Sequence, residues 1–97
     1  MKAILLYYDK IINPDNSIKE IIIWQLPEKT KGYPHGIKYR LYFGLADGTC
    51  LLRYDNKKHK GNHRHIKEIE KPYTFSTIDK LLLDFETDIS KVRMENL

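Results

Sequence analysis

The chain has 97 residues, 41% apolar and 31% charged, and 17 basic against 13 acidic residues give a net charge of +4. This length predicts one domain spanning residues 1–97, and the composition is that of a globular rather than a disordered protein. The single cysteine, Cys50, excludes an internal disulfide and a cysteine-rich zinc site, and it indicates a reducing compartment. No apolar run reaches the roughly 18 residues of a membrane span. The N-terminal apolar run is too short for a signal peptide, so we expect a cytoplasmic protein.

Two β-rich runs open the chain, over residues 2–12 and 18–26. The segment between them, residues 13–17, contains proline, asparagine, aspartate and serine, which is typical turn chemistry. The second run ends at Pro27, and residues 28–36 predict an irregular loop that includes His35.

A third and a fourth strand are predicted over residues 37–55, on either side of Asp47-Gly48. That dipeptide is the usual signal for a two-residue hairpin turn. The turn sets the register, and the predicted opposite pairs are Leu45–Cys50, Phe43–Leu52, Leu41–Tyr54, Tyr42–Arg53 and Arg40–Asp55. The first three pairs predict a core face, and Trp24 is also expected in the core.

The last third of the chain predicts a short fifth strand over residues 66–73 and then a helix. Ser76 is the expected N-cap, with Asp79 in the first turn. Apolar residues then recur at spacings of three and four: Ile78, Leu81, Leu82, Phe85, Ile89 and Val92. We therefore predict an α+β fold in which a mostly antiparallel sheet of four or five strands, about residues 2–73, is packed by one C-terminal helix, about residues 76–93.

Residues 53–67 form a basic segment that holds three of the four histidines and a single acid, Asp55. Its members are Arg53, Lys57, Lys58, His59, Lys60, His63, Arg64, His65 and Lys67. Metal binding is one hypothesis, with His59, His63 and His65 joined by Asp55 or Glu68 as ligands, but the spacing matches no zinc signature. Metal-free RNA cleavage is another, since histidine serves as acid or base near neutral pH and arginine binds phosphate. A phosphate-binding surface without chemistry is the third.

Several short stretches resemble the TumE-like family of small prokaryotic toxins. They are Ile23-Trp24-Gln25-Leu26-Pro27, Pro34-His35-Gly36, Leu52-Arg53-Tyr54-Asp55-Asn56, Lys60-Gly61-Asn62-His63-Arg64-His65 and Pro72-Tyr73-Thr74-Phe75. The resemblance implies the toxin of a toxin–antitoxin pair, with a cognate antitoxin that also binds DNA. Asn62 departs from the family pattern, which is associated with an acidic residue or histidine at this position.

Our leading hypothesis is a toxin that acts on RNA as a metal-independent endoribonuclease without a cofactor. His63 and His65 would be the acid and base, and Arg53 and Arg64 would clamp phosphate. Tyr54 with Asp55 would be the positioning pair. The predicted nucleic-acid contacts are Arg40, Tyr42, Lys57, Lys58, His59, Lys60, Arg64, Lys67 and His35. The alternatives are a module that blocks nucleic acid or protein by occupancy, and a metal-dependent enzyme. We expect the antitoxin to cover residues 53–67.

Overall fold

Six antiparallel strands form one sheet in the described residues, and a helix packs across one of its faces. The computed structural model describes residues 2–57 and 61–96. The strands are β1 (Ile4–Ile12), β2 (Ile18–Gln25), β3 (Ile37–Gly44), β4 (Cys50–Asp55), β5 (His63–Ile66) and β6 (Ile69–Pro72), and the helix is α1 (Ile78–Asn96). Each strand pairs with the next along the chain. The α+β class, the antiparallel sheet and the C-terminal helix are confirmed.

The predicted number of strands was too low, because the segment after the basic region forms a hairpin. β5 ends at Ile66, the chain turns at Lys67 and Glu68, and β6 returns from Ile69. Lys67 has a φ of 57°, a conformation that glycine and asparagine adopt far more readily. Since this turn contains neither residue, its sequence carries none of the usual hairpin signal.

The register of β3 with β4 is as predicted except next to the turn. The confirmed pairs are Arg40–Asp55, Leu41–Tyr54, Tyr42–Arg53 and Phe43–Leu52. A register shift then places Gly44 opposite Cys50, and Leu45 lies in the turn, where its N–H donates to the Thr49 carbonyl over 2.9 Å. Gly44 suits this position because a Cβ there would lie 2.2 Å from the Tyr42 hydroxyl. The expected Leu45–Cys50 pair is therefore wrong.

The helix begins at Ile78, two residues after the expected N-cap. Thr77 caps it instead of Ser76, since the Lys80 N–H donates to Thr77 Oγ1 over 3.1 Å. The predicted apolar stripe faces the sheet, and its buried members are Leu81, Phe85, Ile89 and Val92. Within the described residues, no helix combines the length and apolar character that a membrane crossing requires.

The sheet has two unlike faces because side chains alternate along each strand. The face under α1 is apolar and buried, with Ile21, Ile23, Tyr39, Leu41, Phe43, Leu52 and Tyr54. We term the other side the open face, because α1 does not cover it. Its residues on the central strands are Trp24, Lys38, Arg40, Tyr42, Arg53, Asp55, His63 and His65. Trp24 is therefore half-buried on the open face instead of in the core.

β1 lies at the edge of the sheet and is apolar but exposed. Seven large side chains are between 37% and 63% exposed: Ile4, Leu5, Leu6, Tyr7, Tyr8, Ile11 and Ile12. α1 packs against β4, which lies three strands away from β1. The strand's register shifts between Leu5 and Tyr7, and such irregularities weaken the pairing of an edge with another chain. The N-terminal apolar run thus extends the sheet without entering the core.

Arg93 connects the end of α1 to the turn between β1 and β2. Its Nη1 lies 3.1 Å from Asp15 Oδ2, and its Nη2 lies 2.9 Å from Ser17 Oγ. The guanidinium also stands 5.0 Å above the centre of the Phe43 ring. Asp15 accepts hydrogen bonds from the Ser17 hydroxyl at 2.6 Å and the Ser17 N–H at 2.9 Å. These bonds, with a smaller contribution from Arg93, lower the pKa of Asp15 to about 2.

Replacing Asp15 by Asn should lower the melting temperature near neutral pH but not in strong acid. Because folding depresses the pKa of Asp15 from 3.8 to about 2, the ionised carboxylate stabilises the fold above the higher value. That contribution is lost as the pH falls through the lower one. Thermal melts across this range should show the two proteins converging. Glu28→Gln in an exposed loop is the control. A difference in melting temperature between Asp15→Asn and wild type that does not change with pH, or the same pH dependence in the control, would contradict this role of Asp15.

Candidate functional site

Four polar side chains meet on the open face where β4 pairs with β5. The register places Asp55 opposite His63 and Arg53 opposite His65. Because side chains alternate along a strand, all four project to the open face, while Arg64 projects toward α1. The two histidines therefore share one side of β5, and Arg64 lies on the opposite side. Their ring centroids are 5.4 Å apart.

His63 is enclosed by oxygen atoms, and only 8% of its side chain is exposed. Its Nε2 lies 2.8 Å from Asp55 Oδ1, and its Nδ1 lies 3.2 Å from the Gly61 carbonyl oxygen. Oxygen atoms thus lie beside both ring nitrogens. The second oxygen of Asp55 lies 3.4 Å from Arg53 Nε. The buried carboxylate thus lies between the imidazole of His63 and the guanidinium of Arg53.

His65 is the more accessible histidine, with 22% of its side chain exposed. Its Nδ1 lies 3.2 Å from Arg53 Nη2. A guanidinium only donates hydrogen bonds, so we assign Nδ1 as the acceptor and place the ring proton on Nε2. That nitrogen lies 3.7 Å from Oε2 of Glu70, which stands opposite on β6. The histidine cluster is defined here as Arg53, Asp55, His63, His65 and Glu70.

Next to the histidine cluster, the open face contains a depression of 380 Å³. Its lining residues are Trp24, Lys38, Tyr39, Arg40, Arg53, Asp55, Asn56 and Lys57. Arg53 and Asp55 belong both to this depression and to the histidine cluster. Of the predicted nucleic-acid contacts, Arg40 and Lys57 lie here, so the structure brings these two cations to the site.

Tyr54 and Arg64 lie on the opposite face, beneath α1. The Tyr54 hydroxyl donates to Oδ2 of Asp88, and Arg64 Nη1 donates to the same oxygen over 2.9 Å. Burial, together with the bond to Asp88, raises the pKa of Tyr54 above its usual range. The phenol therefore remains protonated. The structure does not bring these two predicted residues to the histidine cluster, and they connect the sheet to α1.

His35 lies apart from the other two described histidines. It is exposed and contacts Phe75 edge-on, with ring centroids 5.0 Å apart. It lines a separate cleft of 470 Å³ whose walls include Asn56 and Asn62. Both asparagines neighbour the histidine cluster in sequence, so the cleft adjoins the cluster without containing its histidines.

The remaining predicted contacts are dispersed. Tyr42 is on the open face, but its hydroxyl points toward Gly44 and the turn after β3. Lys67 turns toward the helix, where its Nζ lies 3.5 Å from Glu95 Oε2. Three predicted residues lie outside the described residues: Lys58, His59 and Lys60.

The metal hypothesis has no geometric support in the described part of the chain. Across residues 2–57 and 61–96, no group of three or more histidine, cysteine, aspartate or glutamate side chains is arranged to hold an ion. His59, one proposed ligand, is outside these ranges. Glu68, another, lies in the turn between β5 and β6.

Sequence reasoning missed Glu70 and Trp24. Glu70 reaches His65 only because residues 63–72 form a hairpin, and the turn at Lys67 gives no sequence signal for one. Trp24 was assigned to the core by its apolar character. Side chains alternate along β2, so Trp24 points to the same side as Ile22 and to the side opposite the buried Ile23. This alternation could have indicated the open face.

The family comparison gives a match to toxin TumE over residues 4–93. The chain belongs to the TumE toxin family. This match covers nearly the whole chain and confirms the resemblance that the Tyr54-Asp55 and His63-Arg64-His65 segments carry. Comparisons with curated sequences and with solved structures gave no match. Membership implies the toxin component of a toxin–antitoxin system, and therefore a cognate antitoxin as partner.

Asn62 has a structural role in this TumE protein. It stands where the resemblance leads us to expect an acidic residue or histidine, and its Oδ1 accepts a hydrogen bond from the Tyr39 hydroxyl over 2.8 Å. Burial raises the pKa of Tyr39 above its usual range, so this phenol remains a donor. The amide thus gives a polar partner to the end of a side chain whose ring lies in the core.

Asp88→Ala should lower the free energy of unfolding by about 2–4 kcal/mol, because it leaves the Tyr54 hydroxyl without its acceptor and Arg64 without its counter-ion. Asp88→Asn keeps an acceptor and should lose less. Urea unfolding measures both. Well below the melting temperature, toxicity should match wild type. A folded Asp88→Ala protein that is no longer toxic would instead assign Tyr54 and Arg64 to the functional site.

Proposed function

We propose that this TumE-family toxin cleaves RNA as a metal-independent endoribonuclease, with the histidine cluster as its active site. One observation carries the proposal: an accessible histidine, His65, lies 3.2 Å from the guanidinium of Arg53 on a face that α1 leaves uncovered. A proton acceptor and a phosphate-binding cation are thereby held side by side. These are the two groups that cleavage by the ribose 2′-hydroxyl requires.

His65 is the general base in this proposal. In the free protein its Nδ1 accepts from Arg53, while Glu70 faces the Nε2 proton and orients the ring. When Arg53 turns to a substrate phosphate, the Nδ1 lone pair becomes available for the 2′-hydroxyl proton. The 2′-oxygen then attacks phosphorus, the bond from phosphorus to the 5′-oxygen breaks, and a 2′,3′-cyclic phosphate and a 5′-hydroxyl result. General-base catalysis of this kind contributes about 10²–10⁴-fold.

His63 is the acid, and Asp55 holds it. Its ring centroid lies 5.4 Å from that of His65, and we assign it the acidic proton of the reaction. It supplies the proton that the departing 5′-oxygen needs. Its low exposure means that substrate must reach it from the His65 side, so we expect His63 to contribute less to the rate than His65.

Arg53, Arg40 and Lys57 provide the positive charge for the phosphates. Arg53 has two roles. It orients His65 before substrate binds, and it stabilises the negative charge that develops on the phosphorane afterwards. Arg40 and Lys57 line the adjoining depression and bind flanking phosphates. Lys58, His59 and Lys60 remain predicted contacts. Tyr54 and Arg64 leave the proposed catalytic set because they face α1.

Occupancy without chemistry is the second candidate function. It is favoured by the enclosure of His63, whose two nitrogens both face protein oxygens. In that case the cations of the open face would hold RNA, and the histidines would only maintain the structure of the sheet.

His65→Ala should lower the rate of RNA cleavage by about 10²-fold or more while changing RNA affinity little. Arg53→Ala should reduce both, because one cation serves binding and the transition state. Cleavage of a labelled single-stranded RNA and its binding by anisotropy give the two quantities, with Lys91→Ala on the outer side of α1 as the surface control. Cleavage should be unaffected by EDTA.

Three results would overturn parts of this assignment. A folded His65→Ala protein that stays fully toxic favours occupancy, especially if toxicity then falls with charge removal and with salt. Loss of cleavage in EDTA favours the metal-dependent alternative. Equal melting curves for wild type and each variant are required, since an unfolded protein is also non-toxic.

The cognate antitoxin should cover the open face at residues 53–67 with acidic or apolar groups. Arg53→Glu should then weaken its binding about tenfold or more, because a complementary contact becomes a repulsive one. Lys91→Glu makes the same charge change on the far side of the molecule and should have little effect. Co-purification followed by titration measures both. Failure of the wild-type proteins to associate at micromolar concentration would contradict the proposed pair.

A further inference from the structure

Trp24 is an aromatic side chain that lies on the open face and outside the core. It lies opposite Lys38, whose Nζ stands 5.7 Å above the centre of the indole. The ring forms one wall of the 380 Å³ depression, and Arg40, Arg53 and Lys57 line the same depression. The indole is thus bordered by four cationic side chains. One of them, Arg53, is also the neighbour of His65.

This combination is suited to an unpaired nucleotide. Aromatic side chains bind bases by stacking, and surrounding cations bind the phosphates of the same strand. A duplex offers no free base faces, so it cannot use a stacking wall in this way. Asp55 is the one acid in the lining, and its carboxylate already faces Arg53 at 3.4 Å and His63 at 2.8 Å. The depression therefore presents positive charge beside a flat apolar surface.

We propose that Trp24 stacks an unpaired base of the RNA a few nucleotides from the cleavage position, which makes single-stranded RNA the substrate. The inference rests on the proposed function for the identity of its ligand. Lys38 now lies over the indole, but it is exposed, and a contact of this length is weak. An arriving base displaces the ammonium from the ring, and the ammonium then pairs with the phosphate of that nucleotide.

The position of Trp24 relative to His65 fixes which nucleotide it holds. Trp24 is on β2 and His65 on β5, so they are three strand spacings, or roughly 14 Å, apart across the sheet. The β2 residue in line with His65 is Glu20, so Trp24 also lies four residues, or roughly 13 Å, further along the strands. Arg40 on β3 and Arg53 on β4 bridge this interval. A base on Trp24 therefore belongs to a nucleotide a few positions away from the cleaved one, and the intervening phosphates lie along the two arginines.

Trp24 is the only tryptophan of the chain, so its fluorescence reports this site directly. A short 2′-O-methyl RNA lacks the attacking hydroxyl, and its binding is separate from cleavage. Titration with this single strand should quench the fluorescence in a saturable way, and the matching duplex should bind at least tenfold more weakly.

Variants measured with an end-labelled strand by anisotropy give the energetic test. Trp24→Ala should weaken binding about tenfold or more, as loss of one stacked base does elsewhere, and Trp24→Phe should restore most of it. Tyr7→Ala removes an exposed aromatic from the other face of the sheet and should leave affinity unchanged.

The outcomes separate this inference from the proposed ribonuclease activity. Quenching and a Trp24-dependent affinity without any cleavage of natural RNA uphold the base site and overturn the nuclease. Cleavage by wild type with unchanged affinity in Trp24→Ala overturns the base site alone. Equal binding of single strand and duplex, or no binding of either, overturns it as well.

Discussion

The antiparallel register of β4 with β5 is the constraint on which the rest of the site depends. It pairs Asp55 with His63 and Arg53 with His65, and the strict alternation of side chains then assigns these four residues to one side of the sheet. A shift of β5 by one residue would place both histidines under α1 and turn Arg64 to the open face. The chemistry of the open face is therefore a consequence of strand pairing.

The helix side holds that register in place. Tyr54 and Arg64 are also opposite one another on β4 and β5, and both bind Asp88 of α1. A slip of β5 would take Arg64 away from this carboxylate and leave the buried charge without its counter-ion, which is costly. The same pair of strands thus carries a structural network on one face and the histidine cluster on the other. Both networks arise from the same alternation of side chains along β4 and β5.

The sequence was most informative where local patterns are strong. Alternation around Asp47-Gly48 predicted the Tyr42–Arg53 and Arg40–Asp55 pairs, and helical spacing predicted the buried stripe of α1. Prediction from the sequence failed where a feature depends on contacts between residues that are distant in the chain or on a turn without a typical sequence. The turn at Lys67 has no favoured turn residue, so the sixth strand and Glu70 were missed. Asp88 was missed because its partners lie on distant strands, a relation that no spacing within the helix encodes.

The neighbour-to-neighbour order of the six strands has a consequence for how the chain folds. Each hairpin joins segments close in sequence, so the loops that must close are short and their entropic cost is small. During synthesis the residues of the histidine cluster are all present once Glu70 has been made. The side chains that cover the core face, such as Leu81 and Phe85, arrive only with α1. Completion of the fold is therefore a late event that the helix controls, and a nascent chain that lacks α1 carries the cluster on an unprotected sheet.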